Sequence, residues 1–114
     1  MNNAIQTKSF AFAVRIVNLN KFLREEQKEF ILSKQLMRSG TSIGANIAEA
    51  QQAQSKADFI SKMNIALKES YETDYWLRLL HETQYLNQDA FQSIISDCKE
   101  LEKLLVSIVK SAKE

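Results

Sequence analysis

Residues 36–50 read LMRSGTSIGANIAEA and hold both glycines of the chain, Gly40 and Gly44. Small or apolar residues recur on one side of this stretch at helical spacing: Leu36, Gly40, Ile43 and Ile47. That spacing predicts a helix with both glycines inside it, not a turn. A glycine inside a helix costs about 1 kcal/mol relative to alanine, so two of them indicate that another backbone approaches closely. We therefore predict close helix packing at Gly40 and Gly44.

The composition is typical of a soluble, globular, helical protein. The chain has 114 residues, no proline, 45% hydrophobic residues and 25% charged residues, which predicts one domain over residues 1–114. The one cysteine, Cys98, permits no internal disulfide, which favours a cytoplasmic location. Arg15 interrupts the apolar run of residues 10–14, so we expect neither a signal peptide nor a membrane span.

Helical periodicity continues along nearly the whole chain and predicts an all-α fold. We expect helices at about 3–24, 28–52, 56–83 and 88–112, separated by short polar connections. Ser55, with Asp58 three residues later, and Asn87 are typical N-cap residues for the last two helices. Short connections force neighbouring helices to run in opposite directions. The expected architecture is an antiparallel, up-down-up-down four-helix bundle.

The first predicted helix has two apolar stripes. One stripe contains Ile5, Phe12, Ile16, Leu19 and Leu23. The other, nearly opposite, contains Phe10, Val14 and Val17. Only one stripe can face the core of a bundle, and exposed apolar rows usually mark protein interfaces. The second stripe is therefore predicted to be an oligomer contact.

The acidic residues of the third helix have two interpretations. Glu69 and Glu72 could act as a general acid and base. We favour an ion-pair network, in which they meet Arg38 of the second helix beside Asn46 and Glu49, because unpaired buried carboxylates are costly. A di-iron site needs paired Glu-x-x-His motifs, whereas this chain has one histidine. The residues 40–44 lack the Gly-Lys-Ser/Thr ending of a phosphate loop. No catalytic, cofactor or metal residue is predicted.

Basic residues suggest a surface for a polyanion. The formal net charge is only +1, but the chain through Arg24 has four basic residues and no acidic ones. Lys8 and Arg15 share a stripe on the first helix. A second stripe, on the fourth helix, contains Lys99, Lys103 and Lys110. If the two helices are neighbours, these five residues form one patch, which symmetry would repeat in an oligomer. Solvated lysines without a ligand are the alternative.

Three segments carry a family resemblance: LMRSGTSIGANIAEA (residues 36–50), DFISKMNIALKES (58–70) and ETDYWLRLL (72–80). They resemble the bacterial four-helix-bundle proteins encoded in intervening sequences of 23S rRNA genes, with Ala50 where glycine is expected. The resemblance implies an antiparallel bundle that assembles as a homopentamer, with no cofactor and no established enzymatic activity. The chain is also similar to the accessory variability determinant proteins of diversity-generating retroelements, which form basic pentameric barrels and engage RNA and a reverse transcriptase.

Together these observations predict a cytoplasmic, non-enzymatic homo-oligomer, pentameric by resemblance, that binds RNA, DNA or a nucleic-acid enzyme. The first alternative is a protein-only scaffold or adaptor without a nucleic-acid contact. The remote alternative is a small enzyme that uses Glu69 and Glu72. No membrane contact is expected.

Overall fold

The computed structural model describes residues 3–114 and contains four α-helices. They are α1 (Asn3–Glu25), α2 (Leu32–Ala50), α3 (Lys56–Glu82) and α4 (Gln88–Lys113). No strand occurs among the described residues, which confirms the all-α prediction. Each helix packs against the next one in the chain, and α1 also contacts α4. The helices therefore form a closed four-helix bundle measuring 44 × 20 × 19 Å.

All four helices contribute to one apolar core. Its fully buried side chains include Phe12, Ile16, Leu23, Leu36, Ile43, Ile47, Met63, Leu77, Leu80, Leu101 and Leu105. Full burial of each such side chain contributes about 1.5–3 kcal/mol. In α1 only the first apolar stripe takes part, so the second lies outside the core. None of the described helices has the length and hydropathy needed to cross a membrane.

Helix α2 begins at Leu32, four residues later than the periodicity predicts, and ends at Ala50, two residues earlier. Lys28 has a φ of 55°, a left-handed conformation that does not continue into a helix. The buried Glu29 carboxylate then accepts hydrogen bonds from the backbone N–H groups of Ile31, Leu32 and Ser33, at 3.2, 2.9 and 2.7 Å. A carboxylate at this position satisfies the unpaired N–H groups of the first turn and complements the helix dipole. Glu29 thus fixes where α2 starts.

The two predicted N-caps are confirmed. The Ser55 hydroxyl accepts a hydrogen bond of 3.0 Å from the N–H of Asp58 at the start of α3. The Asn87 side chain accepts one of 2.8 Å from the N–H of Ala90 at the start of α4. These caps lie within a residue of the predicted helix starts, because each signal depends only on neighbours in the chain.

Candidate functional site

The two glycines lie at close contacts between α1 and α2. A Cβ atom on Gly40 would lie 2.7 Å from Cγ1 and 2.9 Å from Cγ2 of Ile16. A Cβ atom on Gly44 would lie 3.3 Å from the backbone oxygen of Ser9. The first distance is far below van der Waals contact, and the second is tight. Gly40 is therefore set against a core side chain of α1, and Gly44 against its backbone.

Apolar side chains are exposed along the junction of these two helices. Phe10 is 73% exposed and Val14 is 47% exposed, whereas Val17 is less exposed and half-buried. A groove of about 410 Å³ runs beside Phe10 and is lined mainly by small residues of α2, including Gly44, Ala45 and Ala48. We call this region the α1–α2 apolar surface. Its groove exists because α2 presents glycine and alanine where larger side chains would fill the space.

The α1–α2 apolar surface continues toward the loop between the two helices. Phe30 and Ile31 are 54% and 76% exposed there. A second groove of about 580 Å³ is lined by residues that include Arg24, Phe30 and Met37, and the Arg24 guanidinium carbon lies 5.9 Å from the centre of the Phe30 ring. The predicted oligomer contact contains Phe10 and Val14 but not Phe30 and Ile31, because the periodicity places these loop residues inside a helix.

The predicted polar network between α2 and α3 is divided into two parts. Arg38 donates to Glu72 at 2.5 Å and lies 3.9 Å from Glu69. Glu49 pairs separately with Lys62 at 3.0 Å. Arg38 and Glu49 have side chains that are 55% and 60% exposed, so both ion pairs lie at the solvent-facing edge and not in a buried network. Asn46 contacts neither pair; its amide donates to the Ser42 carbonyl of its own helix at 2.8 Å.

The buried polar contact between α2 and α3 is a hydroxyl pair instead. The Thr73 hydroxyl donates to the Ser39 hydroxyl at 3.0 Å, and both residues are fully buried. Hydroxyl groups of this size fit where two helices pack closely, whereas the long arginine side chain reaches out to the rim. Their sequence signal was present, because Ser39 and Thr73 both interrupt otherwise apolar helix faces.

The two carboxylates of the alternative acid–base pair differ in their surroundings. Glu72 accepts from Arg38 and from the indole N–H of Trp76, the latter at 3.0 Å. Oε1 of Glu69 is buried and has no hydrogen-bond partner among residues 3–114, although the Arg38 guanidinium lies 3.9 Å away. A carboxylate fixed by two donors is poorly placed to exchange a proton with a substrate. The geometry favours a structural role for the pair.

A second group of charges lies between α3 and α4 around the buried Asp74. Its carboxylate accepts from Nε of Arg78 at 2.8 Å and from Nζ of Lys99 at 3.0 Å. Burial by itself would raise the pKa of Asp74, but hydrogen bonds from Glu102, Arg78 and Lys99 hold it below its ordinary value. The two cations extend outward, with side chains 59% and 55% exposed. The buried Asp74 carboxylate therefore holds the charged groups of Arg78 and Lys99 in place at the surface.

Asp74 also lies beside Cys98 and Glu102, and the potential ligand atoms of these three residues lie within 4.8 Å of one another. Burial, followed by the hydrogen bond and charge of Asp74, raises the pKa of Glu102 to about 7. Burial likewise raises the pKa of the Cys98 thiol far above its ordinary value. A metal prefers a thiolate and free carboxylate oxygens. Both oxygens of Asp74 already bind cations and the thiol stays protonated, so the arrangement fits a charge cluster better than a metal site.

The predicted basic patch is interrupted by acidic partners. Lys8 pairs with Glu100 at 2.9 Å and Arg15 with Asp97 at 2.6 Å, so these two residues join α1 to α4. Lys99, as described above, pairs with Asp74. The prediction considered the cations of each stripe without Asp97 and Glu100, two carboxylates of α4 close to Lys99 in the sequence. The five predicted nucleic-acid contacts therefore do not form a uniformly basic surface.

Lys103 and Lys110 differ from the other three predicted contacts. Both are exposed, and neither makes a salt bridge within the described part of the chain. Lys103 lies at a groove between α3 and α4, of about 660 Å³, that Arg78 and Lys99 also line. We call this feature the α3–α4 groove.

Two tyrosines are exposed on α3, one helical turn apart. Tyr71 and Tyr75 are 51% and 50% exposed. Tyr75 packs edge-to-face against Trp76, with ring centres 5.1 Å apart. The Arg78 guanidinium, which lines the α3–α4 groove, lies 5.8 Å from the centre of the Tyr75 ring. This aromatic and basic stripe was not predicted, although the sequence carries a signal for it in the helical spacing of Lys68, Tyr71, Tyr75 and Arg78.

Two comparisons with known proteins give matches. Residues 1–107 match the model of a family described as 23S rRNA-intervening sequence protein. The chain is also similar to a crystal structure, at 1.70 Å resolution, of a protein with unknown function from the S23 ribosomal protein family of Bacteroides thetaiotaomicron VPI-5482. The two are 63% identical over 95% of this chain and 96% of that chain, with a TM-score of 0.93. No curated protein sequence gives a significant match.

Proposed function

The chain belongs to the 23S rRNA-intervening sequence protein family, and from this premise we propose that it is a non-enzymatic bundle that self-associates and binds a nucleic acid or a nucleic-acid-processing protein. The observation that carries self-association is the exposed Phe10, at 73%, beside an apolar groove. Monomeric proteins rarely expose contiguous apolar patches larger than a few hundred Å², and larger ones usually mark protein contacts. Burying a Phe or Val side chain contributes about 1.5–3 kcal/mol, so copies of the chain gain by covering the α1–α2 apolar surface.

The proposed assembly contains antiparallel bundles, five by family resemblance. Contacts between α2 and α3 support the antiparallel order, because Arg38 meets Glu72 while Glu49, further along α2, meets Lys62, earlier in α3. An assembly would also multiply weak surface contacts. One subunit presents few unpaired cations, but identical subunits presenting the same cations on one side bind a polyanion with increased avidity.

The test of self-association is the molar mass measured by light scattering at micromolar concentration. The expected result is an oligomer for the wild-type protein. Phe10→Glu should shift it toward the monomer with unchanged helical circular dichroism, because a charge cannot be buried cheaply in an apolar contact. Val106→Glu is the matched control, since Val106 is 44% exposed on α4. A monomeric wild-type protein contradicts self-association.

A protein-only scaffold is the second candidate function, and a specific observation favours it: carboxylates of α4 already neutralise Lys8 and Arg15. RNA binding measured across salt concentrations separates the candidates. Each phosphate contact adds about −0.7 to −0.9 to the slope of log affinity against log salt. A double substitution, Lys103→Ala with Lys110→Ala, should flatten the slope more than the control pair Lys21→Ala with Lys56→Ala, which removes the same charge. Absence of binding at low salt supports the scaffold.

A further inference from the structure

We propose that the α3–α4 groove and the adjoining tyrosines bind single-stranded nucleic acid, with bases stacked on Tyr71 and Tyr75 and phosphates held by Arg78, Lys99 and Lys103. This inference rests on the proposed nucleic-acid function and names its ligand and its site. The site lies on the side of the bundle formed by α3 and α4, whereas the α1–α2 apolar surface lies on the side formed by the other two helices.

The two tyrosines have the exposure and spacing of a stacking platform. Each ring is half exposed, so a ring face is accessible to a base. Residues four apart on a helix are separated by about 6 Å along its axis. Stacked bases of a duplex rise by only about 3.4 Å, so the tyrosines match bases that have been pulled apart. Aromatic side chains bind such unstacked bases of any sequence.

The tyrosine nearer the groove is held in place before a ligand arrives. Tyr75 packs against Trp76, whose indole N–H donates to Glu72 at 3.0 Å. The Arg78 guanidinium also lies near this ring, 5.8 Å from its centre. A rigid aromatic group loses little conformational entropy on binding. The ring of Tyr75 is therefore the stronger of the two expected contacts.

The groove presents cations outward and keeps one anion inside. Asp74 has a side chain only 7% exposed and binds Arg78 through Nε, whereas the Arg78 side chain is 59% exposed. Lys99 is anchored by the same carboxylate, and Lys103 lines the groove beside it. Glu100, the exposed acid of the lining, pairs with Lys8 of α1. A phosphate group at the mouth therefore meets three basic side chains, which is charge complementarity.

The test measures fluorescence anisotropy of a labelled single-stranded RNA oligonucleotide and of the matching duplex. Tyr71→Ala and Tyr75→Ala should each weaken binding of the single strand by about 5- to 100-fold, which is the effect of losing one base stack. Tyr75→Phe keeps the ring and should keep the affinity. Duplex binding should change less than twofold in all three variants. Phe22→Ala is the matched control, because Phe22 is an exposed aromatic residue of α1, at 40% exposure.

The outcomes distinguish this inference from the proposed function. If the wild-type protein binds neither probe at low salt, the stacking site and the nucleic-acid part of the proposed function both fail. A second outcome is that the wild-type protein binds the single strand and the tyrosine variants keep that affinity. If Tyr71→Ala, Tyr75→Ala and the double variant do so with wild-type melting temperatures, only the stacking site is overturned. If the tyrosine variants instead lower the molar mass measured by light scattering, the surface is a contact between copies, which also overturns it.

Discussion

Gly40 leaves no space for a side chain, because Ile16 of the neighbouring helix occupies the position of its missing Cβ. Overpacking a core costs about 1–3 kcal/mol, and the gain in helix propensity offsets about 1 kcal/mol of that cost. We expect Gly40→Ala to lower the free energy of unfolding by up to about 2 kcal/mol. Chemical denaturation measures the difference. Gly44→Ala is the comparison, since its Cβ meets Ser9 at a longer 3.3 Å. A Gly40→Ala protein as stable as Gly44→Ala contradicts the prediction.

Glu102 makes the stability depend on pH. Its pKa is raised from 4.5 to about 7 in the folded protein, so the folded state binds a proton more tightly than the unfolded chain. The resulting stabilisation is complete below pH 4.5 and is lost as the pH rises through 7. Asp74, whose pKa is lowered from 3.8, acts in the opposite direction but at lower pH. The melting temperature of the wild type should therefore fall as the pH rises from mildly acidic to mildly alkaline.

A Glu102→Gln variant isolates this effect. Glutamine stays neutral, so its melting temperature should change less over the same pH range. Ionisable groups away from this cluster are common to both proteins and cancel in the comparison, whereas Asp74, whose pKa a hydrogen bond from Glu102 helps to lower, titrates at lower pH. The groups that face Glu102 are Asp74 of α3 and the Cys98 and Lys99 side chains of its own helix. Parallel melting curves for the two proteins at every pH are the contrary result.

The contacts of individual residues were the features hardest to predict from the sequence. It identified Gly40, because helical spacing and composition are local signals. It also put Lys8 and Arg15 on one stripe, but it could not show that Glu100 and Asp97 of α4 would pair with them. Such pairing depends on the rotation of two distant helices about their axes. The sequence likewise gave no sign that Asp74 would become the centre of a buried charge cluster.

At the scale of a helix, the start of α2 depends on one carboxylate. Glu29→Ala removes the acceptor of three backbone N–H groups, so we expect a loss of about 0.5–2 kcal/mol, the range for losing an N-cap. Glu29→Gln keeps an oxygen acceptor but loses the charge, so its free energy of unfolding should lie between those of the wild type and Glu29→Ala. Equilibrium unfolding in urea measures both. Glu26→Ala, at an exposed position of the same loop, is the control, and an equal effect there argues against the cap.

Helix boundaries were predictable where the stop or start signal is a familiar residue type. Ser55 and Asn87 are common N-caps, and α3 and α4 begin next to them. The start of α2 is different. Its cap is Glu29, a residue type with ordinary helix propensity, and the turn before it is made by Lys28, which has a positive φ although it is not glycine. Nothing in composition marks that turn, so the periodicity was extended four residues too far.

At the scale of the whole molecule, the bundle separates its two candidate surfaces. The α1–α2 apolar surface and the α3–α4 groove belong to different pairs of helices. Copies that meet through the first pair leave the second pair exposed. The class of fold was predictable from periodicity and short connections alone. The division into two surfaces was not, because the sequence does not show which helices become neighbours and therefore which exposed faces lie side by side.

Self-association should also appear in thermal stability. If the associated copies bury the α1–α2 apolar surface, the melting temperature of the wild type rises with protein concentration, since binding to the native state stabilises it by mass action. The melting temperature of Phe10→Glu should be independent of concentration. Scanning calorimetry over a hundredfold dilution series measures both. A wild-type melting temperature that ignores concentration speaks against obligate association.

Cys98 can report local opening of the bundle. Its Sγ lies inside the bundle, 3.4 Å from the backbone oxygen of Ser70, and only a thiolate reacts with iodoacetamide. Alkylation therefore has to wait until α4 separates from α3. The rate of that labelling, without any engineered probe, measures how often the two helices part, and the native protein should tolerate mild oxidants that modify exposed thiols.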